Sequence, residues 1–278
     1  MGWLQAIVLG IVEGLTEFLP VSSTGHLTIV EKLMGLKVDS DGVTAFTAII
    51  QVGAIIAVII YFWRDIVRLV AAFFRGLGSA EARQEPSWRE ALVVIVGTIP
   101  IAVVGLAARH LVSGPLRSLW VVAGALILWS VVMVVAESIG TQKRSEETVT
   151  LKDAVVIGLM QCVALVPGVS RSGATISGGL FRGLDRVAAT RISFLLSIPA
   201  LLAAGGLEAA SQAKAVSNTV GWGPTLLATL VALVVGYASI AWLLRLVAHH
   251  RITVFIPYRV ALGILVAVLL ATGVVTAT

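Results

Sequence analysis

Two glutamates, Glu13 and Glu17, stand four residues apart near the N-terminus, and a hydroxyl-rich turn follows them: Pro20-Val21-Ser22-Ser23-Thr24-Gly25-His26. On a helix, side chains at this spacing share a face, with roughly 5–6 Å between Cβ atoms. Two carboxylates about 5 Å apart repel by about 3 kcal/mol at an effective dielectric near 20. Such a pair needs a shared proton, a cation or an arginine beside it. Ser22, Ser23, Thr24 and Gly25 offer hydroxyls and backbone N–H groups that can cradle an anion. Ser23 can attack phosphorus with His26 as its base, or His26 can itself attack. Capping of the next helix by Ser22 or Ser23 accounts for the same hydroxyls without chemistry.

A second turn, Pro167-Gly168-Val169-Ser170-Arg171-Ser172-Gly173, carries Arg171, the only base inside either short motif. An arginine at the centre of a membrane helix costs about 2.5–3.5 kcal/mol and needs an anionic partner. Its fork of donors suits phosphate oxygens, or it serves only to neutralise Glu13 or Glu17. Ser170, Ser172, Gly173 and Thr175 add donors around it, and Gln51, Gln161 and Thr47 are further polar candidates in apolar surroundings. Carboxylates as metal ligands point to a hard divalent cation, Mg²⁺ or Ca²⁺, on Glu13 and Glu17. Donors for a phosphate inside a bilayer protein imply a substrate whose phosphate is tethered to a lipid.

The elements that position these residues follow from composition. Of 278 residues, 58% are hydrophobic and 13% charged, with a mean hydropathy of +1.00. Soluble proteins hold about 45–50% apolar and about 25% charged residues. The chain is thus neither a soluble domain nor a disordered one, and nucleic acid is not its partner. The single cysteine, Cys162, excludes a disulfide scaffold and reads as packing. A transmembrane helix takes about 20 apolar residues. Stretches 43–63, 91–108, 118–136, 219–244 and 260–278 meet or approach that, and 192–207 is a shorter sixth. Residues 3–12 and 154–169 are apolar but short and run into the two polar turns, which predicts re-entrant helical hairpins. The first of them lacks the basic start and cleavage site of a signal peptide.

The predicted fold is an all-α integral membrane protein, one membrane domain over 1–278, with six transmembrane helices plus two re-entrant hairpins. The turns are related: Ser22 and Ser170, Thr24 and Ser172, Gly25 and Gly173, and Phe46 and Phe194 are all 148 apart. Three spans lie between them, so the second copy enters from the opposite face. This predicts an inverted-topology repeat of about 1–112 and about 118–278. With both termini outside, 14 bases fall inside (Arg64 through Arg89, Lys143, Arg144, Lys152, Arg182, Arg186, Arg191, Arg245, Arg251 and Arg259). Five fall outside: Lys32, Lys37, Arg109, Arg117 and Lys214. That bias fits the positive-inside rule, and the loop arginines 64–89 and 182–191 read as solvated and facing headgroups. Broken helices meeting at the midplane also mark transporters, so movement of a lipid stands as the alternative to hydrolysis.

Glu13-Gly-Leu-Thr-Glu17-Phe-Leu-Pro-Val-Ser-Ser-Thr-Gly-His26 and Pro167-Gly-Val-Ser-Arg-Ser-Gly173 resemble the two signature blocks of the undecaprenyl-diphosphatase family, the bacitracin-resistance proteins of bacteria. The resemblance covers essentially the whole chain. It implies hydrolysis of undecaprenyl diphosphate to the monophosphate and phosphate at the outer face of the plasma membrane, recycling the carrier for cell-wall synthesis and conferring bacitracin resistance. By the same resemblance the acidic pair falls on Glu13 and Glu17, the serine on Ser23, the histidine on His26 and the arginine on Arg171, with a divalent cation required. The expected partners are a polyprenyl diphosphate lipid and the bilayer; a homodimer is left open.

Overall fold

The computed structural model describes residues 1–277 apart from Asp39, Gly114, Pro115 and Arg117, with the backbone alone described at 109–113, 204, 207–215, 217 and 218. Positions 114, 115 and 117, in the link between the expected repeats, and the side chains of Arg109, Arg117 and Lys214 lie outside that description. In chain order the helices are α1 (Trp3–Thr16), α2 (Ser23–Leu33), α3 (Asp41–Tyr61), α4 (Trp63–Gly78), α5 (Pro86–Ser113), α6 (Leu119–Ile139), α7 (Leu151–Val163), α8 (Arg171–Phe181), α9 (Arg186–Asn218), α10 (Trp222–His249) and α11 (Ile256–Ala271), and no strand occurs among the described residues.

Six of these helices, α3, α5, α6, α9, α10 and α11, are long and apolar enough to cross a membrane, one for each expected span. Their ends differ from expectation where local chemistry intervenes. The last span stops at Ala271 instead of running to 278, because Gly273 takes a φ of +73° that turns the chain. The tail then folds back, and the Ala277 carbonyl accepts from the Leu119 N–H at 2.9 Å, supplying a partner at the start of α6.

The arginines of 64–89 are exposed, as expected, with Arg68 and Arg75 in ion pairs, whereas Arg182, Arg186 and Arg191 are half-buried and paired. Residues 63–78 form α4, with Trp63, Val67, Val70, Phe74 and Leu77 exposed along one stripe and Leu69, Ala72 and Gly76 buried on another. Arg68 pairs with Glu90 and Asp65, and Arg191 with Asp65 and Glu146. Arg186 pairs with Glu137. Arg144 and Arg182 close on opposite oxygens of the fully buried Asp153 at 2.7 and 2.6 Å. Burial alone would raise the Asp153 pKa; the bonds from Arg144, Arg182 and Thr150 outweigh it and hold the carboxyl well below its ordinary range.

The short helices come in two matching pairs. α1 starts at Trp3 and α7 at Leu151, 148 residues on; Gly2 N donates to Gln5 and Thr150 N to Asp153, each at 2.9 Å. α1 and α2 are separated at Ser22 (φ +79°) and α7 and α8 at Ser170 (φ +78°). That left-handed region is uncommon for any residue but glycine, and each serine there caps its helix, accepting from Gly25 N or Gly173 N. Ser23 and Arg171 are consequently the first residues of α2 and α8, at equivalent positions of the two pairs.

Small residues let the pairs pack closely on the long helices. α1 lies on α10, where a Cβ at Gly10 would stand 2.5 Å from the Ala228 carbonyl. α7 lies likewise on α5, with Gly158 against the Gly97 carbonyl. α3 packs between α9 and α10, and α6 packs on α11. This arrangement brings the two turns together.

Candidate active site

The turns are joined by direct hydrogen bonds. Ser22 Oγ accepts from the Gly168 N–H at 3.1 Å. In return Ser172 Oγ donates to the Leu19 carbonyl at 2.9 Å, and Ser170 Oγ reaches the same oxygen at 3.4 Å. Ser170 and Ser172 are also within 3.1 Å of each other. Most of the serines expected to bind substrate are therefore occupied in fastening one turn to the other, and Ser22 and Ser170 do cap their helices.

Glu17 lies at the centre of the groups expected to do chemistry. Ser23 Oγ donates to its Oε2 at 2.5 Å and Arg171 Nη2 to its Oε1 at 2.8 Å, a contact across 154 residues of sequence. A serine hydroxyl on a carboxylate is the arrangement of a nucleophile with its base. Glu13, one turn earlier on α1, is buried, and its Oε1 has no hydrogen-bond partner; nor has Arg171 Nη1. A buried polar atom without a partner costs free energy unless something else binds it. Among its fully buried atoms the site thus presents a carboxylate oxygen and a guanidinium nitrogen without a partner.

His26 stands apart from Ser23. Its Nδ1–H donates to the Ser22 carbonyl at 2.7 Å, and its Nε2 accepts from the Tyr258 hydroxyl at 2.6 Å. Both ring nitrogens are taken, and the Tyr258 ring stacks on the imidazole with centroids 5.5 Å apart. Thr24 is exposed, and its carbonyl accepts from the Thr28 hydroxyl. A Cβ at Gly25 would stand a tight 3.0 Å from Val122, and one at Gly173 would stand 3.3 Å from the Ser170 Cβ.

Among the remaining polar candidates, Thr47 donates to Glu31, and Thr175 bonds Ser193 and the Arg171 carbonyl. Gln161 is buried with both amide atoms unpartnered. Cys162 donates to the Gly158 carbonyl within its own helix, as packing requires.

Two residues on α11 were not legible as part of the site. Arg259, assigned to an inside loop on sequence, is fully buried. It donates to the Pro20 carbonyl of the first turn at 2.8 Å and to the Gly168 and Val169 carbonyls of the second at 3.0 and 3.2 Å. The signal that could have found it is the run Val260-Ala261-Leu262 directly after it: an arginine at the edge of an apolar span is costly without a partner. Tyr258 precedes it and carried no signal of its own.

For the divalent cation, the donor set fits in a limited way. No cluster of three or more His, Cys, Asp or Glu side chains occurs among the described residues. Glu13 nevertheless offers an unpartnered buried oxygen, and both Glu17 oxygens are engaged. Mg²⁺ is commonly held by one or two carboxylates, with substrate phosphates and water completing its shell.

Residues 6–265 match the family described as Bacitracin resistance protein BacA. Similar proteins include Undecaprenyl-diphosphatase 3 of Frankia casuarinae, 57% identical over 278 residues and covering 100% of both chains. Undecaprenyl-diphosphatase of Cutibacterium acnes is 54% identical over 284 residues, again with 100% of both chains. Undecaprenyl-diphosphatase of Acidothermus cellulolyticus is 54% identical over 282 residues with the same coverage. With nearly the whole chain matched and the two signature turns meeting at one carboxylate, this protein belongs to the BacA family of bacitracin resistance proteins.

Proposed function

We propose that this protein is an undecaprenyl-diphosphate phosphatase, hydrolysing the lipid diphosphate to the monophosphate and inorganic phosphate. The observation that carries the reading is Glu17 held between the Ser23 hydroxyl and the Arg171 guanidinium. The names of relatives at 49–57% identity agree with it. Bacitracin resistance follows as the cellular consequence.

In this mechanism Arg171 leaves Glu17 for the arriving diphosphate, bringing its unengaged Nη1 with it. Glu17, relieved of its cation, becomes the better base for Ser23. Ser23 Oγ attacks the terminal phosphorus, its proton passes to Glu17, and the bond from that phosphorus to the bridging oxygen breaks, releasing the lipid monophosphate. Water then cleaves the phosphoserine and restores the serine. Both His26 nitrogens are engaged, which favours Ser23 as nucleophile and leaves His26 with Tyr258 to hold the first turn. Glu13, beside Glu17, would hold a divalent cation, which neutralises phosphate charge when bound. Catalysis rests on positioning and charge stabilisation.

The same reading places the two short pairs as re-entrant hairpins of an inverted repeat in a bacterial plasma membrane. Packing supports it: α1 on α10 corresponds to α7 on α5, and α3 on α9 and α6 on α11 are each equivalent helices in contact. On this reading α6 belongs with the first half and α7–α11 form the second. Opposite entry is supported at the ends. Lys32, ending α2, bonds Thr276 of the tail that meets the start of α6, while Asp153 and Arg182 meet Arg144 beyond the end of α6. The bias of bases, which survives removal of Arg259, supports a reading with both termini and the first hairpin outside.

The test is phosphate release from undecaprenyl diphosphate by purified protein in detergent, where no compartments exist. Release that is lost in Glu17→Gln, Ser23→Ala and Arg171→Ala, each still folded, supports the assignment. Intact substrate with the wild-type protein, across a range of Mg²⁺ and Ca²⁺ concentrations, overturns it.

A further inference from the structure

Arg259 is a fully buried cation that pairs with no carboxylate among the described residues. Placing a charge there is expensive, and a buried guanidinium is retained only where its donors are well used. All of its bonds go to neutral oxygens: three backbone carbonyls of the two turns, and the Leu126 carbonyl and Ser130 hydroxyl of α6. Nη1 takes the first turn alone, through Pro20, and Nη2 takes the second, through Gly168 and Val169. The planar fork therefore bridges the two turns, and its Nε fixes it to α6 through Ser130 at 3.2 Å.

These carbonyls lie immediately before the residues that do the work. Pro20 is three residues from Ser23 and Val169 two from Arg171. The strained serines Ser22 and Ser170 lie between, so small shifts of either carbonyl would move Ser23 or Arg171 relative to Glu17. The serine bonds between the turns run through single hydroxyls; Arg259 is the group that grips both turns with fixed relative geometry.

We propose that Arg259 is a positioning residue that holds the two turns in the register where Ser23 and Arg171 meet on Glu17. It acts through the backbone and touches neither substrate nor reacting atoms. The proposal rests on the phosphatase reading for its kinetic consequence, but its structural consequence is independent of that reading.

The experiment compares Arg259→Met, which keeps length without donors, and Arg259→Lys, which keeps charge but has one nitrogen to serve both turns. Each is made in full-length protein and carried by two readouts. Kinetics with undecaprenyl diphosphate should show kcat falling about 100-fold in Arg259→Met, the order expected of a misplacement near 1 Å, with KM within threefold. Arg259→Lys should recover part of that loss. The second readout is disulfide formation between cysteines at Leu19 and Ser172, which are in contact across the turns, in a Cys162→Ala background. Crosslinking should slow at least tenfold in Arg259→Met and recover in part in Arg259→Lys. Unchanged crosslinking in both variants overturns the proposal, as does a raised KM with kcat preserved, which would make Arg259 a substrate ligand. Should the wild-type protein release no phosphate, the phosphatase reading falls, and the crosslinking alone decides for or against Arg259. Should Arg259→Met fail to fold, Arg259→Lys decides by the same two measurements.

Discussion

Replacing Glu17 with glutamine changes the charge of the site and almost nothing of its volume. The wild-type carboxylate accepts from Ser23 Oγ at 2.5 Å and from Arg171 Nη2 at 2.8 Å. An amide offers one oxygen and one NH₂, so it faces one of those donors with a donor of its own. Loss of a positioned base lowers turnover by about 10²–10⁴-fold, or about 3–5 kcal/mol of barrier at about 1.4 kcal/mol per decade. Binding should move the other way. An ion pair at roughly 4 Å and an effective dielectric near 20 is worth about 4 kcal/mol, and in the resting site that attraction competes with the diphosphate for Arg171. If a quarter of it is recovered on binding, affinity rises roughly fivefold. The assay is phosphate release in detergent, alongside Kd for a lipid methylene-bisphosphonate that resists hydrolysis, with thermal unfolding as the check on folding. Glu17→Gln should lose at least about 100-fold in kcat while the analogue binds at least about threefold tighter. Turnover within tenfold of wild type removes Glu17 as the base. Lost turnover with weakened analogue binding removes the exchange of Arg171 between carboxylate and phosphate.

Ser23→Ala should lower turnover by at least about 10³-fold with analogue affinity kept; trapping of labelled phosphate on His26 in the wild-type enzyme would reverse the roles of serine and histidine. Tyr258→Phe removes the hydroxyl on His26 Nε2 and should cost no more than about tenfold in kcat, since His26 only supports the turn, a loss of the order of one hydrogen bond. Chelation should slow phosphate release, and Glu13→Ala should raise the cation concentration required, read from a titration of Mg²⁺ or Ca²⁺. Asp153→Asn leaves Arg144 and Arg182 without their shared anion and should destabilise the protein by about 3–5 kcal/mol. Because the folded Asp153 pKa lies below its unfolded value near 3.9, its stabilisation is full above about pH 4 and fades as pH falls further. Thermal unfolding of wild type should therefore lose stability below about pH 4 along a limb that is shallower in Asp153→Asn.

Hydropathy made the six spans legible because a 20-residue apolar run has few other uses, and it marked the two short segments because each stopped too soon. Glu13, Glu17 and Arg171 were legible through cost: charges in apolar surroundings need partners, and Arg171 does pair with Glu17. Which hydroxyl would meet the acid was not legible. Ser22 and Ser23 are adjacent and alike, and only the left-handed turn at Ser22 sends one to Gly168 and Gly25 and the other to Glu17. Arg259 was misread because it lies where a loop base and a buried base look the same, directly before uninterrupted apolar sequence and eight residues after Arg251. The partial burial of Arg182, Arg186 and Arg191 was not legible because their partners, Asp153, Glu137, Asp65 and Glu146, are far off in sequence.

On the proposed reading of the two short helix pairs as an internal duplication, the site forms where the related turns meet, and its asymmetry has a physical reason. Two copies of one turn, facing each other, would bring like groups together, and like charges at that depth would repel with nothing to screen them. Divergence at equivalent positions removes the conflict: residue 23 is serine where 171 is arginine, and Glu13 has Gln161 as its counterpart 148 residues on. One turn thus brings carboxylates and a hydroxyl, the other a guanidinium and donors, and Glu17 is the point at which the two sets meet. The serines kept in both copies, Ser22 and Ser170, are the ones that shape and cap the turns. On that reading the shared residues make the scaffold and the divergent ones the chemistry, while Arg259, on α11 and outside both turns, bridges their carbonyls.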